Sequence, residues 1–193
     1  MEQFEIKRKV FDLVEQIGER SYKVSRKNKI YFLKDFGNDT KGFEKYTDEL
    51  SRLNRTGLST PKLYVYDKGC RMSACEFIEG KTVLDTLKES ELDELVYDNA
   101  FKANWYAKHE KVAVSWDPLY WVISGEKLYY LGSILGKFKE NDSFEKEGIF
   151  LWFYSKDFIQ YLMNHGIRVD ESRKNETVAA NKKIALTVVK YYR

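Results

Sequence analysis

Ile30-Tyr31-Phe32-Leu33-Lys34-Asp35-Phe36, followed by Phe43, Tyr46, Leu50 and Leu53, is the stretch whose reading decides the fold. In the first run Ile30, Phe32 and Lys34 share one face of a strand, and Tyr31, Leu33 and Asp35 share the other. In the second, apolar residues recur every three or four positions, which places them on one side of a helix. The period thus changes from strand to helix within a few residues. Upstream, Val10 to Ile17 and Tyr22 to Ser25 read as two further strands, punctuated by Gly18 and by Lys27-Asn28-Lys29, so the three runs form an antiparallel meander. Downstream, Gly57 is placed to close the helix as a left-handed cap and Pro61 blocks its resumption. Leu63 to Tyr66 and Met72 to Ile78 read as two more strands joined across Asp67-Lys68-Gly69.

Beyond Glu79-Gly80 the reading becomes helical. Ser90 and Asp93 have the spacing of a capping box. Leu92, Leu95, Val96, Ala100, Ala103 and Ala107 share a stripe. Trp121 to Ile123 and Leu128 to Leu131 flank Ser124-Gly125-Glu126-Lys127, a hairpin pattern. Ile149 to Asn164 is strongly apolar and ends at Gly166, and Thr177 to Tyr191 reads as a last helix. The expected class is therefore α+β, with an antiparallel five-stranded lobe holding one helix over residues 1–79 and a compact, mostly helical lobe over residues 80–193.

Composition narrows the chemistry. The chain has 193 residues, 43% hydrophobic and 33% charged, the profile of a globular protein. Its 33 basic and 30 acidic residues leave a formal charge of +3, too balanced to indicate nucleic acid. No apolar run reaches the roughly 18 residues of a membrane span. The first residues, MEQFEIKRKV, lack a signal-type apolar core, and a reducing cytoplasm is expected. Cys70 and Cys75 are the two cysteines, and His109 and His165 the two histidines. This excludes a disulfide framework, a four-cysteine zinc site and a multi-histidine metal centre. Cys75 reads as a small buried apolar residue, and His109 as the end of a helix.

This element order resembles the protein-kinase-like fold, and several segments are similar in sequence over roughly residues 10 to 165. Ile17-Gly18-Glu19-Arg20-Ser21-Tyr22-Lys23-Val24 resembles the turn between the first two strands of a kinase N-lobe. Tyr31-Phe32-Leu33-Lys34 resembles the third strand with its ATP-contacting lysine. Met72-Ser73-Ala74-Cys75-Glu76-Phe77-Ile78-Glu79-Gly80 resembles the strand leading into the hinge, most closely in small kinases of the RIO and Bud32 type and in aminoglycoside phosphotransferases. The resemblance implies nucleotide contacts from Gly18, Lys34, Glu76 and Ile78, with Glu49 as the ion-pair partner of an inward-facing Lys34.

Against the same pattern the catalytic apparatus is degenerate. One register of His109 to Ile123, anchored on Pro118, puts Ser115 at the family's catalytic aspartate and Tyr120 at its asparagine. The other, anchored on His109-Glu110-Lys111, keeps Asp117 as a base and still has no asparagine. The metal-binding aspartate is expected after Leu128-Tyr129-Tyr130-Leu131, where Gly132 and Ser133 stand, so no metal ligand is assigned and a magnesium site is not supported. The resemblance then implies a pseudokinase that acts through a protein partner and retains ATP as a possible ligand. A divergent active phosphotransferase using Lys34 with Asp117 is the alternative, and a non-catalytic binding module on the same fold is the third reading.

Overall fold

The structure is a computed structural model and describes residues 2–191. The chain divides into two compact units, Met1–Ile78 and Glu79–Arg193. In the first, β1 (Gln3–Ile6), β2 (Lys9–Gly18), β3 (Ser21–Arg26), β4 (Lys29–Asp35), β5 (Leu63–Asp67) and β6 (Met72–Glu76) form one antiparallel sheet, and α1 (Thr40–Leu53) is inserted after β4. The sheet order is β1-β2-β3-β4-β6-β5. The expected count of five is corrected to six, because Gln3–Ile6 pairs with β2 across the Lys7-Arg8 turn, with Ile6 opposite Lys9.

Alternation decides which residues face inward. Ile6, Phe11, Val24, Leu33, Val65 and Ala74 form one buried cluster inside the curl of the sheet, with Phe4, Tyr22, Tyr31 and Met72 packed around it. Burying each large apolar side chain contributes roughly 1.5–3 kcal/mol. On the opposite face α1 lies against the sheet through Phe43, Leu50 and Leu53. Its first turn is held by Asp39, whose carboxylate accepts from the Gly42 amide at 2.8 Å.

Gly57 does not act as the left-handed cap of α1. The helix stops at Asn54, in right-handed geometry. The Asn54 amide donates to Thr60 Oγ1 (2.9 Å) and to the Pro61 carbonyl (2.8 Å), and its oxygen accepts from the Leu63 amide (2.8 Å). One side chain thereby supplies the turn that leads into β5.

The second unit holds β7 (Lys81–Thr82), α2 (Val83–Glu89), α3 (Glu94–His109), β8 (Val112–Ala113), β9 (Trp121–Ser124), β10 (Lys127–Tyr130), β11 (Gly136–Lys137), α4 (Lys156–Asn164) and α5 (Lys174–Tyr191). Two small antiparallel sheets, β10-β9-β7 and β11-β8, accompany the helices. The hairpin of β9 and β10 forms as its sequence indicates, with Ser124 opposite Lys127 and Gly125 at φ 58° in the two-residue turn. The capping box at Ser90 does not form. Ser90 closes the short helix α2, its amide donating to the Thr86 carbonyl at 2.8 Å, and α3 starts later with Asp93 as its N-cap. Leu95, placed in the buried stripe by periodicity, is exposed, and Tyr97, Phe101 and Asn104 take up the buried side of α3.

α4 ends as expected at Gly166 (φ 66°), where the Ile167 amide reaches back to the Leu162 carbonyl at 2.9 Å. α5 is fastened by Ala180 and Ile184, by Tyr191 stacked on Phe101 at 4.1 Å, and by the pairs Lys183–Glu91 and Lys190–Glu94. Among the described residues no helix is long and apolar enough to cross a membrane.

Candidate functional site

In the first unit the residues singled out by sequence are carried by β2, β4, α1 and β6. Gly18 pairs with Ser21, so only Glu19 and Arg20 form the turn between β2 and β3. The Gln16 amide donates to the carbonyls of Gly18 (3.0 Å) and Glu19 (3.2 Å) and ties the turn down. This is a tight hairpin turn, without the extended glycine-lined backbone that lies along a phosphate chain.

Lys34 does lie on the α1 face of β4. Its Nζ sits 5.4 Å from the centre of the Tyr46 ring on α1 and 5.2 Å from that of Phe36. The expected ion pair with Glu49 is not formed, and among the described residues Lys34 has no carboxylate partner within salt-bridge reach. Glu49 reaches Lys45, one turn back on its own helix, at 4.0 Å. The reason is steric: Tyr46 lies three residues before Glu49 on the same side of α1 and fills the space under Lys34. The Tyr46 hydroxyl is 3.8 Å from Cys75 Sγ, and burial pushes its proton affinity well above the ordinary tyrosine range. Cys75 is buried as its sequence context indicates, and desolvation pushes its thiol up to about 12, so it is an inert thiol. Glu76 closes β6 opposite Tyr31, its amide donating to the Lys62 carbonyl at 2.9 Å, and Ile78 is half-buried at the end of the unit.

In the second unit the loop after β8 and the end of β10 are locked together by aromatic residues. The Trp116 and Trp121 rings are parallel with centroids 4.9 Å apart, and Trp152 packs edge-on to Trp121 at 5.7 Å. Each indole finds a carbonyl: Trp116 donates to Asp142 (2.8 Å), Trp121 to Ser115 (2.8 Å) and Trp152 to Trp116 (2.7 Å). Tyr130 completes this knot. Its hydroxyl accepts from the Ser115 amide at 3.0 Å and donates to the Ser133 carbonyl at 2.7 Å. One phenol therefore ties Ser115, at which one register of the resemblance asks for a base, to Ser133, the neighbour of the Gly132 at which it asks for a metal ligand.

Gly132 is required by that bridge. A Cβ there would stand 2.4 Å from the Tyr130 hydroxyl oxygen and 2.6 Å from its ring carbon, closer than any side chain can approach. Asp117, the retained candidate base, is committed locally. It caps the short turn Pro118–Tyr120 by accepting from the Leu119 amide (2.9 Å), and the same Oδ1 accepts from the Tyr161 hydroxyl (2.8 Å). Burial, together with the bond to the Asp117 carboxylate, raises the Tyr161 hydroxyl above its usual range, which keeps it a donor. The nearest following acids are also engaged: Asp142 accepts from the Lys139 amide (2.7 Å) and Glu140 pairs with Lys146 (3.5 Å). Among the described residues no three His, Cys, Asp or Glu side chains converge.

Sequence reading reached Ser115, Asp117, Tyr120 and Gly132 but missed Tyr130 and Tyr161, which hold Ser115 and Asp117. Tyr130 reads as an ordinary inward hairpin residue, and only the packing of Gly132 against its ring reveals its role. Tyr161 comes from α4, far along the chain, and no spacing announces it. No protein-family model and no curated protein matches this chain.

Proposed function

We propose that the chain is a kinase-like protein without phosphotransfer activity that works by binding a protein partner. The observation that carries this reading is the Tyr130 bridge, which occupies the space where a side chain at position 132 would have to stand. Phosphoryl transfer relies on metal ions to neutralise charge on the transferred group and on a base to orient the attacking hydroxyl. Here the position that the resemblance gives to a metal ligand is a glycine packed against Tyr130, and Asp117 commits its Oδ1 to a turn and to Tyr161.

The surface beside the bridge supports a binding role. Leu119, Tyr120 and Leu131 are 47%, 42% and 45% exposed, and the Leu131 amide donates to the Tyr120 carbonyl at 2.8 Å, which brings two of the three backbones together. Exposed apolar side chains that lie together suit contact with another protein. Lys34, a half-buried cation without a carboxylate partner among the described residues, keeps nucleotide binding within this reading, through the phosphates alone.

A thermal-shift titration with ATP, with and without magnesium, tests it. The expected result is a midpoint that responds to ATP equally in both conditions, whether the shift is zero or positive. A shift that needs magnesium would favour the divergent active phosphotransferase.

A further inference from the structure

The first unit carries basic hairpin turns at one end of its sheet. β1 passes to β2 through Lys7 and Arg8, and β3 to β4 through Lys27 and Asn28, each a two-residue turn fixed by the pairs Ile6 opposite Lys9 and Arg26 opposite Lys29. Four consecutive antiparallel strands put both turns at the same end. All four turn residues adopt positive φ, at 47° and 63° in the first turn and 49° and 59° in the second. Such turns favour asparagine and glycine. Asn28 fits, whereas Lys7, Arg8 and Lys27 hold a left-handed backbone that costs them conformational energy, and strain of this kind is retained where a side chain has a task.

The cations at this end are uncompensated. Among the described residues none of Lys7, Arg8, Lys9, Arg26, Lys27 and Lys29 forms an ion pair, while Arg20, Lys45, Lys88, Lys146, Arg173, Lys183 and Lys190 all do. Three of them lie against tyrosines instead. Lys9 Nζ lies 4.1 Å from the centre of the Tyr64 ring, Lys7 Nζ lies 5.0 Å from that of Tyr66, and Arg26 donates to the Tyr64 hydroxyl at 3.1 Å. Tyr64, 38% exposed, leans on Tyr31 with centroids 4.7 Å apart. The acids on the same strand ends are Glu5, opposite Val10, and Glu76, whose carboxylate already accepts from the Lys62 amide.

We propose that this end of the first unit is a docking surface for single-stranded polynucleotide, with the basic turns on phosphates and the tyrosine cluster beside the bases. Cations interleaved with aromatic side chains, of which Tyr64 is the exposed one here, are the combination that binds single strands with little sequence preference. An acidic peptide would use the cations and leave the rings without a role, and a membrane surface would call for large apolar side chains at the turn tips, which carry only lysine, arginine and asparagine. The near-balanced net charge conceals this cluster because the compensating acids sit elsewhere in the chain.

The test is fluorescence anisotropy with a 5′-fluorescein 20-nucleotide oligouridylate, run beside a polyglutamate peptide and phosphatidylcholine–phosphatidylserine vesicles. If about four phosphates are neutralised, log K falls against log salt with a slope of about −2.8, so affinity drops about 50-fold between 50 and 200 mM. The double variant Arg8→Asn/Lys27→Asn removes two charges and places a residue suited to positive φ at each site. It is expected to keep or raise the thermal midpoint while flattening the slope by about 1.4. Absence of oligouridylate binding at 50 mM salt, equal binding of polyglutamate, binding of vesicles alone, or an unchanged slope in the double variant would each overturn the proposal.

Discussion

Replacing Trp152 by alanine is expected to unfold the second unit well before the first. Trp152 is fully buried, packs edge-on to Trp116, Trp121 and Phe144, and its indole donates at 2.7 Å to the Trp116 carbonyl. Truncating a buried aromatic of this size costs about 3–5 kcal/mol through lost transfer energy and the cavity left behind. The orphaned Trp116 carbonyl adds to that cost. All four tryptophans, at positions 105, 116, 121 and 152, lie in the second unit, so tryptophan emission reports on it alone. The expected reading is a fluorescence midpoint lowered by roughly 10 °C or more. Trp152→Phe keeps most of the packing and is expected to lose markedly less. A midpoint unchanged in the alanine variant would show that the aromatic knot is not what holds the loop around Ser115.

Gly132→Asp, which restores the residue type that the kinase resemblance asks for, is expected to destabilise without conferring activity. The new Cβ meets Tyr130 at 2.4 Å from its hydroxyl oxygen, so the ring has to move and surrender its bonds to the Ser115 amide and the Ser133 carbonyl. Overpacking of this kind costs about 1–3 kcal/mol, and the loss of a buried hydroxyl bridge adds to it. Gly132→Ala carries the same Cβ and is expected to lose most of the same stability, which separates the steric effect from the charge. In a Tyr130→Ala background the further cost of Gly132→Asp should largely vanish, a coupling that a double-mutant cycle by chemical denaturation measures directly. Additive losses would mean that Tyr130 is not the obstacle at position 132.

The parts of the fold that were legible in the sequence are those with an unambiguous period. Ile30 to Phe36 and the stripe from Phe43 to Leu53 changed period within one stretch, and both formed as read. The hairpin around Gly125 was legible because a two-residue turn with positive φ asks for glycine. β1 was not, since Lys7 and Arg8 lack every ordinary turn signal and the strand has only Phe4 and Ile6 to mark it. α2 escaped because seven residues hold too few turns for a period to show. Asn54 rather than Gly57 ends α1, because a side chain that bonds to three partners in the following loop outweighs a preference for a left-handed cap.

At the candidate site, the departures of Tyr120 and Gly132 from the kinase pattern were readable position by position, whereas the packing around them was not. Tyr130 and Tyr161 act across distances in the chain that no local pattern encodes. Glu49 stands beside the apolar stripe in the sequence, but in the fold Tyr46 lies next to Lys34 and Glu49 reaches Lys45.

The central claim is the proposal that this chain is a kinase-like protein that does not transfer phosphate. A radiolabelled ATP assay with magnesium, run on the wild-type chain and on Lys34→Ala with autophosphorylation and a generic protein substrate as readouts, tests it most directly. The account predicts no label above the no-protein control in either chain. Incorporation by the wild type that disappears in Lys34→Ala would contradict it and establish a divergent kinase that uses Lys34.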